Sequence, residues 1–146
     1  MYLLVKAVGE SIRRKSTAAR ISGVLQIILG VGVFLEVLRR MFLGSEPESL
    51  MILAVGTLAL CANLYCLILI SSHREGGVHM RASWIFSTND VIANLGVIVS
   101  GILVAILGNR YPDLIIGAII SVVVIRGGFK ILREARQADA VSFGAP

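Results

Sequence analysis

Residues 84–108 read WIFSTNDVIANLGVIVSGILVAILG, a run long and apolar enough to cross a bilayer as one helix. A single carboxylate, Asp90, interrupts it. An ionised carboxylate at the bilayer centre costs roughly 2.5 to 3.5 kcal/mol, so such residues usually face a bundle interior, a water-filled cavity or an ion path. Residues three, four and seven apart share a helix face. Asp90 therefore lies in line with Ser87 and Asn94, and we predict a polar stripe within the membrane.

The composition of the whole chain agrees with a membrane protein. Of 146 residues, 56% are hydrophobic and only 16% are charged, whereas soluble domains carry about 25% charged residues. We therefore predict an all-α integral membrane four-helix bundle. The expected spans are residues 21–42, 50–70, 84–108 and 113–132, all within one transmembrane domain that covers residues 1–146 and has no soluble domain.

Short segments flank these spans. Residues 1–20 are expected to form an N-terminal helical remnant followed by a basic cytoplasmic linker, and residues 133–146 a short cytoplasmic tail. The N-terminal apolar run is too short to cross a bilayer, which takes about 20 residues.

The basic residues predict orientation. The net charge is +5, but these residues flank apolar runs without interleaved aromatic residues, so we expect no nucleic-acid partner. Because successive loops lie on alternate sides of the membrane, eleven of the 14 lysines and arginines fall on the same side as the termini and three on the opposite side. The positive-inside rule places both termini in the cytoplasm. We expect the chain to reside in the cell (inner) membrane.

Polar residues near the ends of the first and fourth spans have structural interpretations. Glu36 can pair with Arg39 or Arg40 on its own helix, which we favour over a role in an ion path. Pro112 is placed to open the fourth helix in its first turn, with Asp113 near the positive end of the helix dipole. At the other end of this span, Arg126 and Lys130 can snorkel to a headgroup layer.

Four other residues are of types that can bind metals. Cys61 and Cys66 lie within the second span without disulfide or zinc-finger spacing, so we interpret them as packing residues. His73 and His79, six residues apart in a glycine-containing loop, can bind a metal through neutral imidazole, but such histidines are more often solvated.

The sequence contains no phosphate-binding loop, nucleophile elbow, paired CxxC motif or HExxH motif, so we expect no enzyme. What remains is Asp90 with neighbouring oxygen donors. A carboxylate binds a divalent cation or a proton in exchange, because metal ligands must be deprotonated. The alternative is a packing role, in which Asp90 is hydrogen-bonded to Asn63 or neutralised by Arg81.

Several segments together resemble a known family. They are the basic linker into ISGVLQIILGVGVFLEVLRR, the span ending CANLYCLILI before a histidine-containing loop, MRASWIFSTNDVIANLGVIVSGILV, and YPDLIIGAIISVVVIRGGFKILREA. Over most of its length the chain resembles the cation diffusion facilitators, divalent-metal/proton antiporters with six transmembrane helices. By this resemblance the four spans correspond to the third to sixth helices, and MYLLVKAVGE to the end of the second.

The resemblance implies a function and a site. It implies efflux of a divalent cation of the Zn, Co or Cd class in exchange for protons, with Asp90 and Asn94 as the metal-site residues and no cofactor. Two departures from the family pattern bear on this site. Phe86 stands where the family usually has a His or another ligand, and the carboxylates of the second helix have no counterpart. We expect a homodimer, or another chain that supplies the missing helices.

Two other functions fit the same residues. One is a small four-helix drug/proton antiporter, which also uses one membrane carboxylate, although only 6% of the residues are aromatic and a site for lipophilic cations favours aromatic walls. The other is a non-transporting membrane subunit or fragment in which Asp90 serves packing.

Overall fold

The computed structural model describes residues 2–44, 49–72 and 77–142, and these form four long helices. The helices are α1 (Tyr2–Leu43), α2 (Ser49–Ser71), α3 (Val78–Leu107) and α4 (Tyr111–Ser142). Each contains an apolar segment long enough to cross a membrane. The prediction of an all-α membrane bundle with four spans is confirmed.

Three of the helices extend beyond the predicted spans. α1 continues without a break through the segment that we expected to be a linker, α3 begins at Val78, and α4 runs on to Ser142. With a rise of 1.5 Å per residue, the 42 residues of α1 span about 63 Å. This is roughly twice the thickness of a hydrocarbon core, so α1 reaches well beyond the membrane.

Packing between α1 and α4 explains why the basic segment is helical. Ser16 and Ala19 are almost fully buried, and the Ser16 hydroxyl donates a hydrogen bond to the carbonyl of Ala135 at 3.1 Å. Arg20 pairs with Asp139. The segment is amphipathic, because Arg13 and Arg14 face outward while the small residues pack against α4. Helices gain most of their stability from such packing.

A short turn joins α3 to α4 between Gly108 and Tyr111. Gly108 ends α3 in the left-handed conformation, with φ of 63°, and its N–H donates to the carbonyl of Val104 at 2.9 Å. α4 begins at Tyr111, with Pro112 and Asp113 in its first turn. The predicted role of Pro112 is confirmed.

The helices pack unequally. α1 lies antiparallel along α4, α3 packs against both, and α2 contacts α3 alone within the described part of the chain. α1 and α3 begin, and α2 and α4 finish, on the same side of the bundle, which we call the termini end. We call the opposite side the hairpin end. The hydrophobic core sits at the termini end, where Ala82 and Ile85 of α3 meet Ile131 and Ala135 of α4.

Glycines allow α1 and α4 to approach closely. A Cβ on Gly128 would lie 2.5 Å from Ile27 Cγ1 and 2.8 Å from the Gly23 carbonyl oxygen. A Cβ on Gly23 would lie 3.1 Å from the Gly128 carbonyl oxygen. The two backbones therefore touch, as small residues permit in membrane helices.

We expect Gly128→Ala to lower the thermal midpoint of the detergent-solubilised protein, because backbone atoms of α1 cannot move aside as a side chain can. Overpacking of this kind costs about 1–3 kcal/mol. The matched control is Gly32→Ala on α1, where a Cβ meets no described atom within 4 Å. The control should be neutral or slightly stabilising, since Ala favours helix by about 1 kcal/mol over Gly. Equal midpoints for the two variants would contradict the close approach.

Candidate functional site

Asp90 lies on α3 within the apolar segment Val78–Leu107 and is half-buried. No hydrogen bond or ion pair reaches its carboxylate from residues 11–44, 50, 53–72 or 77–141, the part of the chain with described side chains. Along the same face, Ser87 is buried and Asn94 is half-buried. The polar stripe is therefore only partly covered by the other helices.

Neither packing partner considered for Asp90 contacts it among the described residues. Arg81 pairs instead with Glu134 of α4, at 3.7 Å. Asn63 lies on α2, half-buried, and makes no described hydrogen bond to Asp90. Phe86, one turn before Asp90, packs against the core at the termini end. Asp90 thus has no structural partner in the described chain.

A cavity of about 680 Å³ begins one turn beyond Asp90, on the side of the hairpin end. Its walls come from three helices: Gly32 and Val33 of α1, Ala93 and Val97 of α3, and Ile120 of α4. These walls are mostly apolar. Ala93 shares the face of Asp90, three residues along, so the cavity continues from the polar stripe toward the hairpin end.

Ion pairs close the far end of this cavity. Glu36 accepts hydrogen bonds from Arg39 at 2.7 Å and from Arg40 at 2.9 Å, which confirms the predicted pairing on α1. Arg40 also donates to Asp113 at 2.9 Å, and the Ser100 hydroxyl donates to the other oxygen of Asp113 at 3.2 Å. This cluster ties α1, α3 and α4 together.

We expect Asp113→Asn to lower the thermal midpoint, because it weakens the only described ion pair that joins α1 to α4 at the hairpin end. Hydrogen bonds to charged groups contribute about 1.5–3 kcal/mol. The control is Arg39→Gln: Arg39 is 54% exposed and pairs within α1 alone, where surface pairs contribute about 0–1 kcal/mol. If both variants shift the midpoint equally, the link between helices is not the stabilising feature.

Two buried amides meet at the junction of α1, α3 and α4. Gln26 is 1% exposed and Asn89 is 8% exposed, and neither amide nitrogen has a hydrogen-bond partner among the described residues. A Cβ on Gly127 would fall on the Asn89 amide nitrogen and lie 3.2 Å from the Gln26 nitrogen. The absence of a side chain at Gly127 makes room for both amides.

This amide cluster was not predicted from the sequence. The predicted stripe consists of Asp90 and the residues three and four positions from it, whereas Asn89 is the neighbour of Asp90 in sequence and lies on another face of α3. The signal was nonetheless present. Gln26 and Asn89 are amides within otherwise apolar spans, where polar groups are expensive unless they find partners.

Among the residues that the structure describes, the other side chains of metal-binding type do not come together. His73 lies outside the described residues. His79 is half-buried in the first turn of α3, with a buried Nδ1 that has no described partner. Cys61 and Cys66 are exposed on α2, so the prediction that they pack is wrong. Apolar and soft side chains can face lipid in a membrane helix.

Potential metal ligands are sparse in the described part of the chain. Across the described residues, no group of three or more His, Cys, Asp and Glu side chains is close enough to hold a metal ion. Zinc is usually bound by four protein ligands, or by three with an open position. A zinc site built on Asp90 and the amide of Asn94 would therefore need further ligands from outside the described residues.

Residues 13–138 match the family described as the cation efflux transmembrane domain. Relatives include a zinc transporter ZitB from Yersinia pseudotuberculosis serotype I (strain IP32953), 22% identical over 125 residues. The cadmium, cobalt and zinc/H(+)-K(+) antiporter of Bacillus subtilis (strain 168) is 19% identical over 120 residues. These alignments cover 85% and 81% of the chain, respectively. The chain spans about 40% of the length of the curated relatives it matches.

Proposed function

The chain belongs to the cation efflux family, and on that premise we propose that it takes part in export of a divalent cation of the Zn, Co or Cd class in exchange for protons. The family is one of transporters and not of enzymes. The two relatives described above are named for zinc transport and for cadmium, cobalt and zinc antiport. The predicted resemblance to this family is confirmed.

The observation that carries the proposal is the Asp90 carboxylate, half-buried at membrane depth without a described partner. Keeping such a group in a membrane is costly unless something else binds it. A divalent cation binds the deprotonated form, and a proton displaces the cation. Asn94, one turn further on the same face, would add an amide oxygen as an auxiliary ligand.

Further ligands would have to come from a second copy of the chain or from another chain. Phe86 offers no donor atom, and it is packed against the core. The polar stripe of α3 is only partly covered by α1, α2 and α4, which leaves a face through which another helix can reach Asp90. This supports an assembly in which the cation is shared between helices of two chains.

For transport we propose that both termini lie in the cytoplasm, because the basic residues cluster at the termini end. The cation would then reach Asp90 from the termini end and leave toward the hairpin end. The cavity between α1, α3 and α4 lies along that direction, and rocking of the helices around the fixed site would expose Asp90 alternately to each side.

A drug/proton antiporter is the competing transport function. The described lining of the large cavity contains no aromatic side chain, although lipophilic cations bind best against aromatic faces. This favours a metal ion as the substrate. A non-transporting subunit would keep Asp90 for packing, and the Asp90→Asn variant separates the three functions.

We expect Asp90→Asn to abolish metal tolerance conferred by the full chain in metal-sensitive cells, because the amide binds neither a proton nor a divalent cation tightly. In proteoliposomes, zinc-driven proton flux should fall at least about tenfold, as expected for the loss of a metal-binding group. The control is Asp139→Asn, which removes a carboxylate that pairs with Arg20 at the termini end and should retain most of the flux.

Membrane accumulation of both variants is measured by quantitative immunoblot, so that loss of function is separated from loss of protein. Retained tolerance with Asp90→Asn would indicate a packing role and a non-transporting subunit. Vesicles that move an aromatic cation and ignore zinc would indicate a drug antiporter.

A further inference from the structure

A second, smaller groove runs between α3 and α4 near the termini end, with a volume of about 290 Å³. Polar and charged side chains on its walls come from both helices: Thr88 and Asn89 from α3, Arg126 and Lys130 from α4. Trp84 lines it as well. The groove is separate from the large cavity, and the transport proposal uses none of these side chains.

The two cations of the groove have no acidic partner among the described residues, in contrast to three arginines elsewhere in the bundle. Arg20, Arg40 and Arg81 each pair with a carboxylate. Arg126 and Lys130 make no ion pair with any described residue, and both are exposed. They are four residues apart and so share one face of α4. Two positive charges therefore stand together without an acidic partner from residues 11–44, 50, 53–72 or 77–141.

Asn89 supplies an independent reason to expect a ligand. Its side chain is 8% exposed, and its amide nitrogen is buried without a described hydrogen-bond partner. The amide sits over Gly127, which lines the same groove. A buried donor without an acceptor costs about 1–3 kcal/mol, so an acceptor that enters the groove would recover this loss.

The donors and the surroundings together identify the class of ligand. A guanidinium, an ammonium and an amide N–H all donate hydrogen bonds, which is the chemistry that binds an anion with oxygen acceptors. Apolar side chains continue from the groove along both helices, with Ile92 of α3 at 45% and Ile119 of α4 at 58% exposure. An acyl chain fits against such a surface, whereas a small aqueous anion gains nothing from it.

We propose that this groove binds an anionic phospholipid. The phosphate would lie between Arg126 and Lys130, and an ester carbonyl would accept the Asn89 amide hydrogen. Asn89 lies about 7.5 Å further along α3 than Trp84 at 1.5 Å per residue, and Trp is typical of the headgroup level. Basic pockets between membrane helices bind anionic headgroups in this way.

The test compares lipid retention by native mass spectrometry of the full chain in detergent, with phosphatidylglycerol and phosphatidylcholine of matched acyl chains. Wild-type protein should retain phosphatidylglycerol preferentially. The double variant Arg126→Gln/Lys130→Gln should lower this preference roughly 30-fold, the equivalent of about 1 kcal/mol for each cation. Both residues are exposed, so the fold should survive the change, and gel filtration checks this.

The matched control is Arg133→Gln/Arg136→Gln, which removes the same charge from exposed positions of α4 outside the groove. It should change the preference far less. Asn89→Leu, which keeps the branched shape of the side chain and the net charge but removes the N–H donor, should weaken retention severalfold.

Three results would overturn the proposal. Equal losses in the two double variants would indicate diffuse attraction to negative charge. Equal retention of the two lipids by wild-type protein would indicate an unselective groove. Thermal stabilisation by inorganic phosphate as large as that by phosphatidylglycerol would indicate a site for small anions.

Discussion

The contact between the backbones of α1 and α4 at Gly23 and Gly128 positions the rest of the bundle. With no side chain between them, the two helices lie close enough for the amides of Gln26 and Asn89 both to lie beside Gly127, and for Arg40 to reach Asp113 nearer the hairpin end. In a bilayer, burial of apolar surface does not drive helices together, so van der Waals contact and hydrogen bonds must hold them. Close backbone approach increases both.

Acidic residues of the membrane segments differ in whether they have ion-pair partners. Glu36 and Asp113 are each paired with arginines, and their hydrogen bonds tie three helices at one end of the cavity. Asp90 sits on the same bundle, half-buried, without any such neighbour in the described part of the chain. Glu36 and Asp113 are thus each held by hydrogen-bond donors of other side chains. The contrast within one chain supports a substrate-binding role for Asp90 better than membrane burial alone would.

Local patterns could be predicted from the sequence, whereas contacts between distant residues could not. The spans follow from apolar length, the Pro112 turn from backbone restriction, and the pairing of Glu36 from spacing within one helix. The helical course of residues 11–20 depends on Ser16 and Ala19 fitting against α4, which the basic composition obscured. The Arg40–Asp113 pair spans 73 positions. The cysteines were misjudged because buried thiols are typical of soluble cores, whereas a membrane helix can turn them toward lipid.

The length of α1 has a mechanical consequence. The helix is continuous from Tyr2 to Leu43, so no break in the helical hydrogen bonding separates its aqueous segment from its membrane segment. Contacts of Ser16 and Arg20 with α4 hold α4 against α1 outside the most apolar region. A tilt of the paired α1 and α4 in the aqueous phase would displace their hairpin ends in the opposite direction. An event in the aqueous phase can therefore act on the membrane interior without a flexible joint between them.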